Sequence, residues 1–205
     1  MCGRFIDPNL RGTEIEHSEI GIDPFARRFN IKPTQDVLIR PAEEGQFAWA
    51  RWWFIPVWHK GEMQEWKATT FNARIEEADA KPTFRAAWKY GRCLIPAGGY
   101  YEWTGTKGQK TPHFIQSAAN EETLWFAGLL SIWNDMRTCT ILTRAANSDV
   151  EDVHHRMPVI LNADERDAWL AGKQDKDLGA GASLRHHIVK SFGIQDDSPE
   201  LIEEV

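Results

Sequence analysis

RCLIPAGGYYEWTGTKGQKTPHFIQSAANEETLWFAGLLSIWNDMRTCTILT, residues 92–143, is the stretch that decides the fold. Four segments within it, 92–103, 113–117, 124–133 and 138–143, are rich in β-branched and aromatic residues and are bounded by turn formers, which is the composition of strands. TGTKGQKTP (104–112) reads as an exposed hairpin tip, with Gly105 and Gly108 supplying turn freedom. Outward from this block, DVLIR (36–40), QFAWARWW (46–53) and MPVIL (157–161) read as further strands. A helix is expected over 81–90, with Pro82 in its first turn and Gly91 after its end. A second is expected over 163–171, capped by Asn162 with Glu165 three residues on and Gly172 beyond. A third helical segment is expected around 17–29. Strands do not alternate regularly with helices as a parallel sheet requires. The expected fold is therefore α+β: a single domain built on a mainly antiparallel, barrel-like sheet with a few flanking helices.

The chain has 205 residues, 42% hydrophobic and 26% charged, the make-up of an ordinary globular protein rather than a disordered or collagenous one. That length favours one core, and no repeat or linker divides it, so one domain is expected over 1–195. No apolar run reaches the length of a membrane span and no signal-peptide pattern opens the sequence, so a cytoplasmic protein without a membrane partner is expected. Three cysteines without CxxC spacing do not make a disulfide framework; Cys93 and Cys139, inside apolar runs, read as small buried hydrophobes. The net charge of −6 argues at first against nucleic acid, whereas ten tryptophans suggest stacking surface. Position resolves the conflict. Five acids lie in the last ten residues, 196–205, read as an acidic, solvated tail, and 24 basic against 25 acidic residues remain over 1–195.

Cys2 is the most unusual position, because loss of the initiator Met would leave an amine and a thiol on neighbouring carbons. The two titrate near neutrality, about 8 for the amine and about 8.5 for the thiol, so each is partly nucleophilic. Thiolate attack on a carbonyl gives N-terminal-nucleophile hydrolysis or amide transfer. Condensation of the amine with an aldehyde, followed by closure of the sulfur onto the imine, gives a thiazolidine. The plain alternative is a packed cysteine. Asn72 and Arg74, two residues apart, share one face of an extended chain, and Glu102 is a single carboxylate among aromatics. Thr143 ends a strand. In His154-His155-Arg156 the adjacent histidines would point to opposite faces of a strand, so one faces any given site and the other is structural. No spacing resembles a zinc site and no glycine-rich phosphate loop occurs, so neither metal nor cofactor is expected.

As a set, MCGR (1–4), FNIKPTQ (29–35), WWFIPVW (52–58), NAR (72–74), GYYEW (99–103), FAGLLSIW (126–133) and HHRMPVIL (154–161) resemble the SOS-response-associated peptidase (SRAP) family of abasic-site processing proteins. The resemblance runs in order from residue 2 to about 161 and continues more weakly to the end. It implies a protein that binds abasic sites in single-stranded DNA and crosslinks to them through a Cys2 thiazolidine, after self-processing that removes Met1, with weak lyase activity from the same imine. It further implies Cys2, Asn72, Glu102 and His154 as catalytic residues. Arg4, Arg74 and Arg156 are implied as phosphate contacts, Thr143 as a contact near the lesion, and Pro33 and Trp58 as wedges against bases. Ile75-Glu76-Glu77 departs from the Glu-Thr that usually follows NAR in the family. A monomer is expected, with replication-fork proteins as possible company and nucleoid association when DNA is bound. A local basic cluster of Arg4, Arg74 and Arg156 around Cys2 is the sharpest expectation, and acids around that pocket would count against it.

Three other readings compete. Class II glutamine amidotransferases also begin MCG and use Cys2, but their Asn-Gly-Glu-Ile-Tyr-Asn segment is missing and no synthase domain follows. A general cysteine peptidase and a non-covalent binding module are the remaining readings.

Overall fold

The computed structural model describes residues 2–9, 26–106, 108–119 and 123–205. Most of the helix expected around 17–29 lies outside the described residues, and 26–29 are irregular. In chain order the strands are β1 (Phe5–Ile6), β2 (Asp36–Pro41), β3 (Ala48–Arg51), β4 (Asn72–Arg74), β5 (Arg92–Ala97), β6 (Gly99–Thr106), β7 (Gln109–Ser117), β8 (Leu124–Trp133), β9 (Met136–Ala145), β10 (Arg156–Pro158) and β11 (Leu184–Ile188). The helices are α1 (Arg85–Tyr90) and α2 (Ala163–Leu170). Among the described residues no helix is long and apolar enough to cross a membrane.

Strand pairing runs β9–β3–β2–β5–β8 and returns from β8 to β9, which closes a five-stranded barrel. Closure removes the free edges that an open sheet would expose. Alternation along the strands sorts the side chains into two layers. Val37, Ile39, Ala48, Ala50, Cys93, Ile95, Phe126, Cys139 and Ile141 fall in one buried cluster, the barrel interior. Leu38, Leu94, Ala127, Leu129 and Leu142 fall in another, which also holds Trp88 of α1 and Trp169 of α2. Five strands enclose little space, so the large interior side chains such as Ile95 and Phe126 need small residues beside them. Gly128 is the extreme case, because a Cβ there would lie 2.9 Å from both Cys93 Sγ and Ile95 Cδ1. Cys93 and Cys139 are buried free thiols, as their apolar surroundings imply.

A second sheet, β1-β6-β7-β11, lies beside the barrel. Tyr100 and Ile115 of this sheet pack into the barrel cluster, while Tyr101 and Phe114 point the other way with Ile6, Val189 and Leu201. Leu201 brings in the chain terminus, which differs from the solvated tail expected. Val189 bridges Glu204, the Asp197 carboxylate accepts the Phe29 amide, and Asn30 Nδ2 donates to the Asp196 carbonyl.

Several expected elements change. The segment 92–103 is two strands in two sheets, β5 and β6, because the chain crosses between them at Gly98 and Gly99. A Cβ on Gly98 would lie 2.8 Å from the Asp7 carbonyl, and one on Gly99 2.4 Å from the Phe114 ring. The expected hairpin tip is largely strand, as β6 and β7 pair from Glu102↔His113 out to Thr106↔Gln109, and Gly108 lies before β7 at φ +94. The helix over 81–90 begins only at Arg85, since Phe84 at its start offers no capping side chain and 82–84 form turns. Strand 46–53 keeps only 48–51, and 157–161 becomes β10 with an isolated bridge at Ile160. The second helix spans 163–170, and Asn162 and Glu165 exchange the reciprocal bonds of a capping box at 3.0 Å each.

Candidate functional site

The site grows out of two ladders. The first residues of the chain lie along β6: Phe5 pairs with Tyr100, and the Tyr101 amide donates to the Arg4 carbonyl at 2.9 Å. This docks Cys2 at the barrel end, fully buried in the cluster that holds Phe5, Tyr100 and Met157. The other ladder is β9. Its Thr143 pairs with Arg74 on one side and with Pro158 on the other, so β4 and β10 flank the same few residues.

Asn72 joins the two ladders. Its Nδ2 donates to the Cys2 carbonyl at 2.8 Å, while its Oδ1 is buried without a hydrogen-bond partner. Glu102, two residues beyond Tyr100 and therefore on the same face of β6, is buried close to Cys2. Burial raises the Cys2 thiol pKa well above its ordinary value, and the neighbouring Glu102 charge raises it further. The Tyr100 phenol is pushed up in the same way, by burial first and then by Cys2 and Glu102, and its hydroxyl has no hydrogen-bond partner. Cys2, Tyr100 and Glu102 are thus buried together, with Asn72 at the edge of the group. The expectations had not included Tyr100, although its spacing from Glu102 was the available signal.

His154 stands on the loop before β10, which Val150 and Val153 anchor in the core. Its Nδ1 lies 3.0 Å from both the N–H and the C=O of Arg156, so the Arg156 backbone holds the ring by that nitrogen. The two histidines do not point to opposite faces. They lie ahead of the strand, in irregular chain where alternation does not apply, and their rings stack at 4.4 Å. His155 is exposed, and its pKa is lowered first by His154 and also by Arg156 and Arg74, which places all four residues around one rim.

The remaining residues take different positions. Arg4 donates to Asn30 Oδ1 at 2.7 Å. Pro33 sits in the turn after Ile31, which bridges Phe5. Thr143 is fully buried, 3.4 Å from the Ala73 carbonyl. Arg74 is exposed beside Glu77 at 3.7 Å, and Arg156 forks onto Glu76 at 2.6 and 2.9 Å. Acids therefore stand against two of the three arginines, and the expected basic cluster is neutralised in place. Trp58 is half exposed in an apolar groove with Pro41, Phe54, Val57, Tyr90 and Ile132. Ser131, also in that groove, pairs with Thr138, whereas Asn72 and Arg74 pair with Ile141 and Thr143. At about 3.3 Å per residue the groove is about 10–17 Å along β9 from the Cys2 pocket.

The grouping offers a nucleophile, a carboxylate, an imidazole and an amide at one barrel end, with arginines at the rim. Among the described residues no three His, Cys, Asp or Glu side chains are grouped to hold a metal.

Comparison with known proteins agrees on one family. The profile of the SOS response associated peptidase (SRAP) family matches residues 1–193. The chain is 35% identical over 187 residues to the abasic site processing protein YoqW of Bacillus subtilis, covering 84% of this chain and 81% of that protein. It is 26% identical over 230 residues to the abasic site processing protein YedK of Escherichia coli, covering all of both. A crystal structure of a protein from Bordetella bronchiseptica superimposes with a TM-score of 0.76 at 25% identity, over 93% of this chain and 100% of that one.

Proposed function

Because this chain belongs to the SOS response associated peptidase family, we propose that it processes abasic sites, binding single-stranded DNA that carries one and bonding Cys2 to the exposed sugar carbon as a thiazolidine. The observation that carries the reading is the hold on Cys2: its carbonyl is fixed by Asn72 and its side chain lies in the field of Glu102. A buried carbonyl takes a donor in any fold, but a cysteine that merely filled space would not need a buried carboxylate beside its thiol.

The chemistry needs the Cys2 nitrogen as an amine, so removal of Met1 is part of the proposal. An abasic deoxyribose rests mainly as a cyclic hemiacetal. A proton must leave its anomeric hydroxyl and another must reach its ring oxygen before the C1′ aldehyde exists. Glu102 and His154 Nε2 serve as that acid–base pair. The Cys2 amine adds to the aldehyde carbon, water leaves, and an imine remains. The thiol then adds across the C=N bond, sulfur to carbon and proton to nitrogen, and closes a five-membered ring with net loss of one water. A thiol kept protonated by burial suits a step that delivers sulfur and proton together. Asn72 Oδ1, buried and unpartnered, is assigned to accept from the Cys2 amine and orient it for attack. The same imine can instead give up a C2′ proton and expel the 3′ phosphate by β-elimination, so weak lyase activity is part of the proposal. Arg4, Arg74 and Arg156 are assigned to phosphates and Pro33 to a base flanking the lesion. Trp58 takes part only with a strand that runs along β9.

The test is a denaturing gel of the processed protein with an oligonucleotide carrying one abasic site. A slow, denaturant-resistant band is expected, absent with Cys2→Ala. No band with the native sequence, or a full band with Cys2→Ala, overturns the proposal, and ammonia release from glutamine would point to an amidotransferase instead.

A further inference from the structure

Two arginines that the DNA-binding reading assigns to phosphate already hold carboxylates, and both carboxylates come from the dipeptide Glu76-Glu77. Arg156 donates from Nη1 to Glu76 Oε1 at 2.6 Å and from Nη2 to Oε2 at 2.9 Å, the two-pronged geometry in which a guanidinium also takes phosphate. The partners differ in freedom. The Arg156 side chain is 11% exposed and its Nη2 also donates to the Thr143 carbonyl at 2.6 Å, whereas the Glu76 side chain is 47% exposed. Lys176 Nζ donates to the Glu76 carbonyl at 3.0 Å and to Asp79 Oδ1 at 2.9 Å, which pins the backbone of the turn but leaves the Glu76 carboxyl able to swing into water. The arginine is fixed; the carboxylate can leave. Glu77 stands in the same relation to Arg74, more loosely, and is shared with Lys81.

We infer that Glu76 is a specificity-determining residue: its carboxylate occupies the phosphate seat of Arg156 until a strand displaces it. An intact strand then exchanges one forked ion pair for another and gains little from the contact. A strand with an abasic site gains a covalent bond, which that exchange does not weaken. Glu76 thereby lowers retention on undamaged DNA while leaving capture of the lesion intact. The inference rests on the DNA-binding reading above.

The test measures reversible binding of an intact, fluorescently labelled oligothymidine by anisotropy across a salt series, for the native sequence and for Glu76→Gln. Glu76→Gln should bind about fivefold more tightly, the weight of one partly exposed ion pair. Its dependence of log K on log salt should steepen by about 0.7, one further phosphate contact on a single strand. Equal or weaker binding by Glu76→Gln overturns the inference, as does tightening that persists when Arg156→Ala is added to it. If no protein binds at low salt, the DNA-binding reading itself fails and takes this inference with it.

Discussion

Asn72→Asp is the perturbation that tests the Cys2 pocket most directly. It keeps the shape of the side chain but replaces the Nδ2 donor, 2.8 Å from the Cys2 carbonyl, with a carboxylate oxygen. The carbonyl loses its partner, and a second acid enters the buried space that already holds Glu102. A buried acceptor left unsatisfied costs about 1–3 kcal/mol. In the transition state that cost falls on the placement of the amine, so adduct formation should slow by about 10- to 100-fold. Asn72→Ala, which removes the donor without adding charge, should slow it by about tenfold. The assay is the single-turnover rate of denaturant-resistant adduct formation with saturating abasic oligonucleotide, alongside reversible binding of an intact oligonucleotide. Binding should stay within about twofold of the native sequence, since Asn72 is assigned to positioning. An Asn72→Asp rate within about twofold of native would refute the reasoning, as would loss of rate and binding in proportion.

Gly128→Ala should destabilise the fold by about 1–3 kcal/mol, read by urea unfolding, because the new Cβ meets Cys93 Sγ, Ile95 Cδ1 and the Thr140 carbonyl inside the barrel. Adding Cys93→Ala should recover part of the loss, and no recovery would place the strain elsewhere. The Arg156 hydrogen bonds hold the Glu76 carboxyl below its ordinary value. Their stabilisation is therefore complete above the ordinary carboxylate pKa of about 4.3 and is lost as pH falls through the lower folded value. Glu76→Gln should flatten the decline of Tm with acidification below about pH 4.3, by less than about 1 kcal/mol because the group is half exposed, and an unchanged slope would exclude the pair as a stabilising contact.

What could be read from the sequence was local. Strand 124–133 and the helix cap at Asn162 were legible because strand composition and the Asn–Glu capping pair are written in consecutive residues. The crossing at Gly98 was hidden, since the apolar run over 92–103 continues on both sides of it and only the approach of Asp7 and Phe114 shows why two glycines stand there. Cys2, Asn72 and Glu102 were legible as a family resemblance, but Tyr100 under the thiol and Glu76 in the fork of Arg156 depend on pairing across the fold. The terminus misled for the opposite reason. Its acids suggested solvation and are exposed, while Leu201 and Ile202 among them fix the segment to the second sheet.

The strand β9 serves two tasks along its length. From Met136 to Ile141 it is a stave of the barrel, and from Ile141 to Ala145 it carries β4 on one side and β10 on the other. Asn72, Arg74 and Arg156 are therefore spaced by a common ruler rather than by the loops that lead to them. The segments 52–71 and 146–155 contribute in another way, through buried anchors such as Trp52, Ile55, Val150 and Val153 and through His154 itself. A one-residue insertion within β9 would turn every following side chain to the other face. Register along this one strand is therefore the constraint that three side chains share, and a slip in it would misplace all of them at once.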